Sequence, residues 1–147
     1  MIGFIITGHG SYSPGMLGAM EMITGVQEKV IVVPFLQDMT LEEYSREMTS
    51  GISTLKQDGL EIIIFADLLG GTPFKTSVVS ANEYTGVEVV SGTNLPMLIE
   101  GSMLRLGMTC ARELVDTLLQ TGQEGIQCLD LTVRLNEEVC EVVENGI

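Results

Sequence analysis

Four short apolar runs punctuate the chain: Ile2 to Thr7, Val30 to Phe35, Leu60 to Ala66 and Val87 to Val90. Turn residues bound each run. Apolar runs of this length, without polar alternation, suit strands buried on both faces of a parallel sheet. Helical spacing fills the intervals. Thr40 with Glu43 reads as a capping box, and Leu41, Tyr44, Met48, Ile52 and Leu55 then mark one helical face. Ser13-Pro14 and Thr72-Pro73 each read as an N-cap followed by proline at the first helical position. Asn94 and Thr109 read as two more caps, and Ala111, Leu114, Val115, Leu118 and Leu119 recur at core spacing after the second. Met16, Met20 and Met22 read as core filling on the first helix. Gly125 to Leu131 reads as a fifth strand, and the segment from Asn136 as a short acidic helix closing at Asn145-Gly146.

Strands alternating with helices predict an open parallel sheet with helices on both faces. Such sheets carry their chemistry at the carboxyl ends of the strands, near a switch in strand order. The loops after the first and third strands therefore become the places to search.

Composition narrows the function classes. The chain has 147 residues, 45% hydrophobic and 18% charged, which is globular material for one domain with a core. No apolar run reaches the roughly 18 residues of a membrane span, and the amino-terminal stretch lacks the basic flank of a signal peptide. Cys110, Cys128 and Cys140 are widely spaced and show no metal-ligand pairing, so free thiols in a reducing cytoplasm are expected. The net charge of −13 argues against nucleic acid and anionic lipid, and is compatible with a basic protein partner or with simple solubility.

His9 is the only histidine, and it follows the first strand between Gly8 and Gly10. Flanking glycines leave its ring open to a partner, and a neutral imidazole nitrogen is a nucleophile near neutral pH. Asp67 ends the third strand, directly before Leu68-Leu69-Gly70-Gly71-Thr72-Pro73. If strands one and three are neighbours, Asp67 can bond one ring nitrogen of His9 and support the positive charge that forms as the other attacks. Taken singly, His9 also reads as a surface histidine and Asp67 as a carboxylate satisfying loop amides. Gly10, Gly70, Gly71 and Thr72 offer backbone N–H groups and a helix start where a phosphoryl group would sit. Ser91-Gly92-Thr93-Asn94 reads as a structural turn and cap. No Walker or dinucleotide-binding glycine pattern is present.

Four segments in order carry a resemblance: Ile5-Ile6-Thr7-Gly8-His9-Gly10, Ala66-Asp67-Leu68-Leu69-Gly70-Gly71-Thr72-Pro73-Phe74, Ser91-Gly92-Thr93-Asn94-Leu95-Pro96-Met97-Leu98, and Gly122 to Leu131. Together they resemble the enzyme IIA domain of the mannose-family phosphoenolpyruvate-dependent sugar phosphotransferase system, over residues 1–131. Residues 132–147 form an extension outside the match. The resemblance implies a three-layer α/β open sheet of four parallel strands in order 2-1-3-4, with an antiparallel fifth strand exchanged in a homodimer. It implies a cytoplasmic phosphocarrier with a phosphohistidine intermediate on His9, oriented by Asp67. The donor would be phospho-HPr and the acceptor a IIB component, coupled indirectly to the IIC and IID membrane components. No cofactor and no metal are implied. Some family members have tryptophan where Leu69 stands. The Asp-Leu-Leu-Gly-Gly-Thr-Pro-Phe form looks most like members serving amino sugars such as N-acetylgalactosamine.

Two rival readings come from other classes. A receiver domain phosphorylated on aspartate fits Asp67 but needs an acidic pair where Gly8-His9-Gly10 stands. A ligand-binding module with no covalent step fits the glycine-rich rim.

Overall fold

The computed structural model describes residues 1–130. The apolar runs form β1 (Gly3–His9), β2 (Val30–Phe35), β3 (Ile62–Ala66) and β4 (Val87–Val90), all parallel, in the order β2-β1-β3-β4. Between and after them run α1 (Tyr12–Thr24), α2 (Leu41–Gln57), α3 (Thr72–Ala81), α4 (Leu95–Leu104) and α5 (Ala111–Glu124). The strand order is the expected one.

Alternate residues of the central strands feed two cores. Phe4, Ile6, Ile63 and Phe65 point to one face, where Met20 of α1, Met97 and Leu98 of α4 and Leu114 and Leu118 of α5 cover them. Ile5, Ile62 and Ile64 point to the other, under Tyr44, Met48, Ile52 and Leu55 of α2 and Ala81 of α3. Both faces of β1 and β3 are therefore buried, which is why those strands read as unbroken apolar runs. Register matters for function. His9 pairs with Phe35 across β1 and β2, and Thr7 pairs with Ala66 across β1 and β3. Asp67 thus leaves β3 beside the end of β1.

Caps depart from the local expectations in instructive ways. The Thr40–Glu43 capping box forms, and Asn94 accepts from the Met97 N–H. Ser13 is not a cap: β1 runs on to His9, Gly10 turns at φ 56, and Ser11 takes the cap position. Ser13 and Pro14 fall inside the first turn, where the missing proline N–H has no intrahelical partner to lose. Gly71, not Thr72, is the N-cap of α3. Cys110, not Thr109, precedes α5, whose Ala111 N–H donates to the Glu61 carboxylate at 2.6 Å. A side chain fifty residues upstream replaces the local cap.

Three apolar assignments also change. Met22 is 91% exposed although Met20 of the same helix is buried, and Leu41 and Leu119 lie on the solvent side of their helices. Residues 126–130 form no strand, where the sequence predicts a fifth one. Leu131, the acidic helix expected from Asn136, and Cys140 lie outside the described residues.

Candidate functional site

β1 delivers His9 to the carboxyl rim with its ring half-exposed, 47% against 11% for the Asp67 side chain. Asp67 Oδ2 accepts two hydrogen bonds from His9, from the backbone N–H at 2.9 Å and from the ring at Nδ1, 2.6 Å away. Its Oδ1 accepts from the Leu68 N–H at 2.8 Å. Burial would raise the Asp67 pKa. The His9 backbone N–H, the His9 ring and the Leu68 N–H outweigh it and hold the carboxyl below its usual range. An ionised carboxylate only accepts, so the neutral His9 ring carries its proton on Nδ1 and leaves a lone pair on Nε2.

The glycine-rich loop closes over the same ring. A Cβ on Gly71 would stand 3.1 Å from His9 Cε1, the carbon between the two nitrogens. Gly71 is extended, with φ −68, so it is required by closeness and not by conformation. Gly70 turns at φ 76, a region that favours glycine. Thr72 opens α3, whose positive amino end therefore points at the imidazole edge. Gly10 turns on the other side, its N–H donating to the Phe35 carbonyl at 2.8 Å. The structure thus brings His9, Asp67 and Gly71 into contact and sets Gly10, Gly70 and Thr72 around them. Lys75 lies on the first turn of α3, beside Leu41 and Val79.

Sequence reasoning passed over four aromatic and hydroxyl residues here. Phe35 meets the His9 ring edge-on, with centroids 5.8 Å apart, and leans on Tyr44 at 4.9 Å. Tyr44 hydrogen-bonds the Thr7 hydroxyl, which donates to the Val33 carbonyl at 2.6 Å. Tyr12 donates to the Thr93 carbonyl at 2.6 Å. The available signal for Phe35 was positional: it ends the strand that β1 pairs with, at the register of His9.

Among the described residues no three His, Cys, Asp or Glu side chains gather as a metal site, and no helix is long and apolar enough to cross a membrane. Among the described residues no lysine or arginine forms a salt bridge with Asp67 or lies in an ion pair with His9.

Comparison with known proteins gives this geometry its setting. A family model described as "PTS system fructose IIA component", EIIA-man, matches residues 3–119. The chain is 26% identical over 127 residues to the "PTS system fructose-specific EIIA component" of Bacillus subtilis, covering 86% of each chain. It is 31% identical over 135 residues to the "PTS system mannose-specific EIIAB component" of Escherichia coli, covering 87% of this chain and 39% of that longer one. The crystal structure of an EIIA component from Streptococcus agalactiae superposes with a TM-score of 0.77 at 35% identity, over 91% of this chain and 100% of that one. Proteins of this kind interact with HPr and IIB components. The chain therefore belongs to the EIIA-man family, and it is a phosphotransferase-system IIA component, a phosphocarrier in sugar uptake.

Proposed function

We propose that His9 is the phosphoacceptor, that it takes the phosphoryl group of phospho-HPr on Nε2, and that it passes the group to a IIB component in the cytoplasm. One observation carries the assignment. Nδ1 is engaged by Asp67 at 2.6 Å, so Nε2 is the nitrogen with a free lone pair. As Nε2 bonds to phosphorus, the phosphorus–nitrogen bond of the donor histidine breaks and its electron pair returns to the donor ring. The His9 ring becomes cationic, keeping its proton on Nδ1 beside the Asp67 carboxylate. Transfer onward to IIB reverses the same displacement. Phosphoryl transfer passes through a loose transition state, so placement and charge stabilisation supply most of the acceleration. On this reading the amides of the Gly70–Gly71 loop and the start of α3 at Thr72 would receive the equatorial oxygens, with Gly10 serving as the turn that clears the approach, its own N–H being held by the Phe35 carbonyl.

The same reading makes the protein a homodimer in which the segment from Gly125 to Leu131 adds to the partner's sheet. Two features support it. β4 is an edge strand of the described sheet, and Ile126 and Leu129 are large apolar residues left exposed. Edge strands left open invite pairing.

Incubation with enzyme I, HPr and labelled phosphoenolpyruvate tests the assignment. Wild type takes acid-labile label, and His9→Ala takes none while keeping its fold. Undiminished label on His9→Ala would overturn it. Label released by hydroxylamine would point instead to an acyl phosphate on Asp67, the receiver-domain chemistry.

A further inference from the structure

Tyr12 stands three residues after His9, at the start of α1, and nothing in the transfer step as described uses it. Its ring fills the space beside Gly8. A Cβ on Gly8 would overlap the ring, coming within 2.9 Å of Tyr12 Cγ, and would stand 3.0 Å from Asp67 Cβ. The Tyr12 ring and Asp67 Cβ therefore share the space on one side of Gly8 that a side chain there would take. The hydroxyl is fixed as well, donating to the Thr93 carbonyl at 2.6 Å. Thr93 in turn donates its N–H to the Ala66 carbonyl at 3.2 Å, and Ala66 is the residue before Asp67. One side chain thus touches the loop that bears His9 and, through Thr93, ties the end of β3 that bears Asp67.

We propose that Tyr12 is a positioning residue for the His9–Asp67 pair: its ring packs into the notch that Gly8 leaves beside Asp67, and its hydroxyl anchors α1 to the β4–α4 turn, which the Thr93 N–H ties to the end of β3. This rests on the reading of His9 as phosphoacceptor. The ring, Gly8 and Asp67 Cβ pack on one another, so the ring helps fix where Asp67 stands relative to the end of β1, and with it the Nδ1 to Oδ2 contact. That contact decides which ring nitrogen holds the proton and which is the nucleophile. The position agrees with the electrostatics. Burial first, and the Asp67 charge second, push the Tyr12 hydroxyl up to about 12. The phenol therefore stays protonated throughout the physiological range and remains a donor to Thr93. A deletion of ring or hydroxyl loosens the pair without removing any group that touches phosphate.

His9 is the only histidine, so ring ¹⁵N spectra of the labelled full-length protein report its tautomer without overlap. Tyr12→Phe keeps the ring and removes only the bond to Thr93. Gly8→Ala puts a methyl into the space that the Tyr12 ring and Asp67 Cβ share. Tyr12→Phe should keep the wild-type melting profile and shift the imidazole from the Nδ1–H form toward a tautomer mixture. It should lower the transfer rate at saturating phospho-HPr about fivefold, the loss expected for one neutral hydrogen bond, with KM for phospho-HPr unchanged. Gly8→Ala should move the tautomer further and cost about 10²-fold, the scale of a misplacement near 1 Å. Wild-type imidazole signals in both variants would overturn the proposal. A wild-type protein that takes no label, with a tautomer that shifts in Tyr12→Phe, would overturn the phosphoacceptor reading and leave Tyr12 as the positioning residue.

Discussion

Removing the Asp67 carboxylate should separate its two roles, orienting the ring and stabilising its charge. In Asp67→Ala the His9 ring loses the 2.6 Å contact at Nδ1, and the His9 backbone N–H loses its 2.9 Å acceptor. A hydrogen bond to a charged group contributes about 1.5–3 kcal/mol, which at about 1.4 kcal/mol per decade is roughly a 10- to 150-fold change in rate. Loss of an orienting partner of a functional histidine costs about 10- to 100-fold. The two estimates meet near 10²-fold for Asp67→Ala. Asp67→Asn keeps the shape and should be the more damaging. Its amide N–H₂ donates to Nδ1, drives the ring proton to Nε2 and blocks the nucleophile. Wrong-tautomer defects of this sort reach about 10⁴-fold in a hydrolase triad. Rapid-quench single-turnover transfer from labelled phospho-HPr, at saturating concentration, reads both rates, and circular dichroism checks the fold. Wild-type rates in both variants would refute the orienting role. Asp67→Ala slower than Asp67→Asn would refute the tautomer argument while leaving the charge argument standing.

Gly71→Val should cut transfer by about 10²-fold with the melting temperature little changed, because the backbone at φ −68 accepts valine but the Cβ meets His9 Cε1 at 3.1 Å; an unimpaired variant would remove the loop from the phosphoryl site. Tyr12 and Tyr44 are both held near 12 against about 10 in an unfolded chain, chiefly by burial. The folded protein then binds more protons than the unfolded one across that window, so stability should be full below about pH 10 and fall as pH rises toward 12. Urea unfolding of wild type and Tyr44→Phe across that window should show a shallower alkaline loss in the variant; parallel slopes would contradict it. Sedimentation of the full chain at micromolar concentration should show a dimer, and truncation after Gly122 should give monomer or aggregate; a stable full-length monomer would defeat the dimer.

The parts of this fold that were legible are those where local sequence and tertiary packing agree. β1 and β3 are buried on both faces, so their residues had to be apolar in sequence; that they are neighbours came from the family resemblance, and their register only from the structure. His9 and Asp67 were visible because both sit at the carboxyl ends of apolar strands, His9 between two glycines and Asp67 just ahead of a glycine-rich loop. What escaped depends on residues distant in sequence. The cap of α5 comes from Glu61, and no local pattern announces that. Arg105 is buried, donates to the Ile2 and Glu28 carbonyls and lies over the Phe4 ring at 4.9 Å, contacts that gather three separate segments. Read in sequence, it is one arginine at the end of a helix. Nothing in the local sequence marks Tyr12, because its partners, Gly8 and Thr93, adjoin it only after the sheet has formed. Periodicity also overreached at Met22, Leu41 and Leu119, since an apolar stripe wider than the buried one leaves its margins in water.

The absence of a cation from the ion pairs of the site gives the geometry a direction. A phosphoryl group on Nε2 adds close to two negative charges within a ring's width of the Asp67 carboxylate. Three things oppose that repulsion: the positive charge of the phosphorylated ring, the partial charge at the start of α3, and the loop amides. A clamping arginine would deepen the well and slow release. Amides and a helix end hold phosphate less tightly, and Asp67 itself changes role through the cycle. On the proposed assignment it would fix the nucleophilic tautomer before transfer and afterwards balance the imidazolium while repelling the phosphoryl oxygens. The same carboxylate therefore helps the group arrive and keeps it from settling, which is what a carrier midway between donor and acceptor must do.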